Sequence, residues 1–146
     1  MKHHLVLRVG VKLLIPLIML FALYVQFHGD YGPGGGFQAG VIFASALVLY
    51  GLVFGLSELA RVAPLNVLTT LMAIGWIIYI GVGYTGLALG GMYLDYNVLS
   101  DDTRHGQHYG IMMIEFGVGV TVASTMLVFF QCYAGRGAIE PRNDEW

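Results

Sequence analysis

Charge is what this chain lacks most. Only 11% of its 146 residues are Asp, Glu, Lys or Arg, whereas soluble proteins carry about 25%. With 57% hydrophobic residues and a mean hydropathy of +0.71, an ordinary soluble domain is excluded. The net charge of −2 leaves no basic field for nucleic acid. Cys132 is the lone cysteine, which excludes an intrachain disulfide and a multi-cysteine zinc site. No small-x-small cleavage pattern follows the first apolar stretch, so it reads as a retained helix rather than a signal peptide. What remains is an all-α integral membrane protein.

Four apolar runs predict a single membrane domain, 1–146, a bundle of four transmembrane helices spanning about 5–27, 36–56, 65–89 and 111–132. Pro16 predicts a kink in the first, a feature that neighbouring helices tolerate in lipid. A long polar connection, 92–109, precedes the last span. Connections of this length are functional, partner-binding or disordered, and Tyr93, Tyr96 and Tyr109 suggest that it lies along the membrane interface. If both termini are cytoplasmic, Lys2, Arg8, Lys12, Arg61, Arg136 and Arg142 fall inside and only Arg104 outside. The positive-inside rule therefore predicts cytoplasmic N and C termini.

Glycine, by contrast, is plentiful. The stretch His28 to Gly40 holds six glycines and Pro33, and it lies on the predicted outer side. No helix continues through such a string, because glycine and proline cost about 1 and about 3 kcal/mol relative to alanine. Gly34, Gly35 and Gly36 have the composition of an anion nest at a helix start. No Gly-Lys-Ser/Thr follows and no βαβ unit surrounds them, so nucleotide binding is not expected. Beyond the break, Gly36, Gly40 and Ala44 fall four apart, as do Gly51 and Gly55, spacings that favour close helix packing. Gln38 in the first turn is placed to hydrogen-bond a neighbouring helix, and Phe37 to anchor at the interface.

Glu115 is the one carboxylate well inside a predicted span, roughly 9 Å below the outer interface counting from Tyr109. An intramembrane acid is a functional hypothesis by default. Gly119 and Ala123 share its helix face, so it points toward protein, either as a proton carrier or as a structural carboxylate. His28 and Asp30 are further ion- or proton-linked candidates, with local backbone hydrogen bonding as the plainer alternative. His105 and His108, three apart near Asp101 and Asp102, read as a solvated loop ahead of a weak metal site. No cofactor is expected: no histidine lies well inside a span to hold haem, and no nucleophile-plus-base set suggests an enzyme.

The residues Phe27-His28-Gly29 and then Pro33-Gly34-Gly35-Gly36-Phe37-Gln38-Ala39-Gly40, opening a helix, resemble the MrpB/MnhB family of Mrp-type multisubunit Na⁺/H⁺ antiporters. The likeness extends to four spans, a long outer loop and an acid early in the last span. Asp30 stands where that family frequently has histidine, and Ala39 where it frequently has glycine. The resemblance implies an accessory subunit in a prokaryotic plasma membrane, needed for assembly and for exchange of Na⁺ against H⁺. The partners it implies are the large A- and D-type subunits and small subunits. A scaffold subunit of a related membrane-bound hydrogenase-type complex is the alternative. By resemblance, Pro33 and Phe37 are the motif positions of functional weight.

Overall fold

A computed structural model of the chain describes residues 5–29, 32–100 and 102–136. Its elements are α1 (Leu5–His28), α2 (Gly36–Phe54), the short α3 (Leu56–Val62), α4 (Leu65–Ala88), a single-turn 3₁₀ helix (Tyr96–Leu99) and α5 (Thr103–Arg136). Among the described residues, α1, α2, α4 and α5 are long and apolar enough to cross a membrane. Pro16 lies inside α1, which runs on through it, leaving the Lys12 carbonyl without its helical donor.

α1 packs on α2, α2 on α5 and α5 on α4, so α1 and α4 form the flanks. The central pair, α2 and α5, run in the same direction: Gly36 meets Glu115, Gly40 meets Gly119 and Val122, and Gly51 meets Phe130. Lipid is as apolar as leucine, so these contacts depend on close approach and dispersion rather than on expelling water. α5 serves both neighbours through alternate glycines. A methyl on Gly117 would stand 2.9 Å from the Gly75 carbonyl on α4, and one on Gly40 2.7 Å from the Gly119 carbonyl.

The second glycine pair behaves differently. Gly51 is buried against Leu59, but a methyl on Gly55 would meet nothing within 4 Å. Gly55 instead has φ +104°, ending α2 and launching α3, so its role is conformational. The α3 turn carries Leu59, the largest fully buried side chain described. Beside it, the Gln131 Nε2 donates to the Ala63 carbonyl at 2.8 Å, tying α5 to the α3–α4 junction.

At the opposite end, α5 begins at Thr103, so residues 103–109 of the polar connection are helical. The rest of that connection folds onto the helix ends. Tyr93 covers Gly83, Tyr96 covers Gly106 and Gly110, and Gln107 Nε2 donates to Asn97 Oδ1 at 3.0 Å. Burial, with Tyr79 and Tyr93 nearby, pushes the Tyr96 phenol upward in pKa. Asp102 accepts from the Arg104 N–H and contacts His105 Nδ1, both at 3.0 Å. These two hydrogen bonds hold its carboxyl below the usual range.

Candidate functional site, a glycine cradle for Glu115

The break between α1 and α2 is built from backbone. The Gly35 N–H donates to the Val25 carbonyl at 3.3 Å, satisfying an orphan acceptor at the end of α1. The Gly35 carbonyl accepts from Ala39 at 3.0 Å, closing the first turn of α2. One residue thus caps two helices, at φ 133° and ψ 174°, a region that is essentially glycine's alone. Gly34 lies under the same carbonyl, where a methyl would approach Val25 O to 2.8 Å.

Into this break reaches Glu115 from α5. A methyl on Gly29 would stand 2.9 Å from Glu115 Oε2, and one on Gly35 would stand 3.0 Å from Oε1. A methyl on Gly36 would overlap the Glu115 backbone carbonyl. The glycines therefore form a cradle whose free volume is occupied by one half-buried carboxylate. The first N–H groups of α2 have no intrahelical acceptor, and the positive end of its dipole lies at Gly35–Gly36, beside that carboxylate. Sequence spacing directs Glu115 toward protein; the fold places it on the motif itself.

The other candidates divide into those near the cradle and those on the surface. Gln38 is exposed, with its Oε1 turned back toward Gly35, and Gly40 sits one turn deeper on Gly119. His28 stacks on Tyr24 with ring centroids 5.0 Å apart and sets its Nε2 beside Gly32. Pro33 and Phe37 are exposed, Phe37 by 61%. Asp30 and Asp101 lie outside the described residues. His105 is engaged with Asp102 on an exposed surface. No group of three His, Cys, Asp or Glu is disposed to hold a metal among the described residues.

Residues 6–128 match the family described as a domain related to the MnhB subunit of Na⁺/H⁺ antiporter. The chain belongs to the MnhB family. It is 28% identical over 137 residues to a putative antiporter subunit mnhB2 of Staphylococcus epidermidis, covering 92% of this chain and 96% of that one. It is 34% identical over 113 residues to the B-type subunit of the Na(+)/H(+) antiporter of Alkalihalophilus pseudofirmus, covering 77% and 69%. A putative antiporter subunit mnhB2 of Staphylococcus aureus is 38% identical over 77 residues, 53% of this chain and 54% of that one. With four spanning helices, this MnhB-family chain is a multi-pass plasma-membrane protein.

Two polar residues near or beyond the cradle escape a reading of the sequence alone. Gln26 points its Oε1 at Gly119, one helical turn below Glu115. Gln131 makes the buried cross-link to Ala63. Their signal is weak but present: each is an amide within an apolar stretch of helix, and such amides seek partners across helices.

Proposed function

We propose that this chain is an accessory membrane subunit of a multisubunit Na⁺/H⁺ antiporter complex, acting in secondary antiport rather than as an enzyme. The observation that carries the reading is the meeting of the Pro-Gly-Gly-Gly-Phe-Gln motif with the one acid inside the spans. The cradle holds Glu115 at the junction of α1, α2 and α5, where a change of its charge bears on the geometry of the break. Pro33 and Phe37, exposed on the same motif, are the surface offered to the other antiporter subunits. Both termini are cytoplasmic in this reading, so that the end bearing Arg8, Lys12, Arg61 and Arg136 faces inward.

The test is Na⁺-dependent pH change in everted vesicles, measured beside recovery of the whole complex from mild detergent. Glu115→Gln keeps the shape and removes the charge. Loss of antiport with assembly intact supports a role of the charge in ion or proton coupling. If antiport falls only as far as assembly falls, the chain is a scaffold subunit. If neither changes in Glu115→Gln, Pro33→Gly and Phe37→Ala, the assigned roles are wrong.

A further inference from the structure

A groove of about 380 Å³ runs between the two flanking helices, floored by the central pair. Its walls include Phe27 of α1, Leu47 of α2, Leu71 of α4, and Phe116, Ala123 and Leu127 of α5. It reaches Val62 and Ala63 at the α3–α4 junction. Of its polar residues, Ser124 is already satisfied by the Val120 carbonyl at 2.7 Å.

Its length and lining suit a hydrocarbon chain. From Leu127 to Phe116 the α5 wall rises about 16 Å at 1.5 Å per residue. That is close to one leaflet of a hydrocarbon core about 30 Å thick. The lining is almost wholly apolar, so an acyl chain laid along it leaves no polar group unsatisfied.

Charge selects the headgroup. Arg61 directly precedes the Val62–Ala63 lip, and Arg8, Lys12 and Arg136 belong to the same end of the bundle. Glu58, bonded to Arg61 Nη1 at 2.9 Å, is the one acid described there. The remaining guanidinium donors of Arg61 are exposed, and Arg8 and Lys12 lie only 5.0 and 5.7 Å above the Phe54 ring. We propose that the groove is a binding site for one acyl chain of an anionic phospholipid, its headgroup held at the Arg61 end.

The experiment uses the chain in its complex, reconstituted in vesicles containing phosphatidylglycerol or phosphatidylcholine with the same photoactivatable acyl chain. Cross-linked peptides are then mapped. Phosphatidylglycerol should label residues 65–71 and 116–127 above the exposed α1 face at Leu17 and Leu20. Arg61→Gln should reduce the preference over phosphatidylcholine about fivefold, one cation's share near an anionic surface. Ala123→Phe fills the groove and should remove the label there while leaving it on Leu17 and Leu20. If Ala123→Phe does not accumulate, Leu71→Trp on the groove wall is read instead, with the same loss expected. Equal labelling of groove and α1 face, or of the two lipids, overturns the proposal. So does a groove labelled in the isolated chain but protected in the complex, since a partner subunit would then cover it.

Discussion

The two ends of this bundle seal helix turns with opposite materials. At the motif end, α1 turns into α2 through backbone: Gly35 caps both helices, and glycines leave room for the carboxylate of Glu115. At the other end, α2 turns into α4 through side chains: Leu59 fills the corner on Gly51, and Gln131 closes it by bonding Ala63. The first end has almost nothing to lose and no room to gain. The second depends on its side-chain plugs, and its Gly55 is required for its φ of +104° rather than for close approach. In a membrane, where burial between helices yields little, close backbone approach and satisfied polar groups are the two available adhesives. This chain uses one at each end.

The largest effect is expected at Gly36, in the backbone-sealed end. Gly36→Val drives two branches into the Glu115 backbone, beyond the 1–3 kcal/mol common for overpacking. The expected result is loss of the subunit from the complex, read by co-purification. If Gly36→Val assembles normally, the cradle is not a close-packed contact. Leu59→Ala should follow, destabilising by about 2–5 kcal/mol through the cavity it leaves, read as a lowered melting temperature in detergent. Gln131→Leu should cost less, about 1 kcal/mol, because membrane helix hydrogen bonds are individually modest. Faster hydrogen exchange confined to α3 would identify it.

The smallest expected effect lies at the start of α5. The Asp102 carboxyl has a folded pKa below its ordinary 3.8, lowered first by the Arg104 N–H and then by His105. Its stabilisation is therefore complete above the unfolded value and is lost as pH falls through the folded one. Protection of the Arg104 and Gly106 amides should hold down to about pH 4 and decline below it. Asp102→Asn should flatten that dependence, and protection that is pH-independent in the wild type would contradict the assignment.

Much of this is legible in the sequence for identifiable reasons. The four apolar runs and the helix break at His28–Gly40 follow from composition and backbone chemistry. The face shared by Gly36, Gly40 and Ala44 follows from helical periodicity, and each is buried. The same reasoning misassigns Gly55, because spacing cannot separate a glycine needed for close approach from one needed for φ +104°. It also leaves Thr103–Tyr109 in a loop, since a polar helix extension held by Tyr96 on Gly106 and Gly110 has no apolar pattern of its own. The meeting of Glu115 with Gly29 and Gly35 is out of its reach, because they are some eighty residues apart in the chain.

By itself, then, the sequence determined a membrane protein of four spanning helices, the MnhB-type motif and the one acid inside the spans. Those properties are local, set by hydropathy, by glycine and proline, and by residue identity. Tertiary structure alone decided that the acid belongs to the motif, that the α1–α2 turn is sealed by backbone and the α2–α4 turn by side chains, and that the flanks leave a groove. Those depend on the parallel register of α2 against α5, which packing of glycine against backbone sets and no single segment encodes.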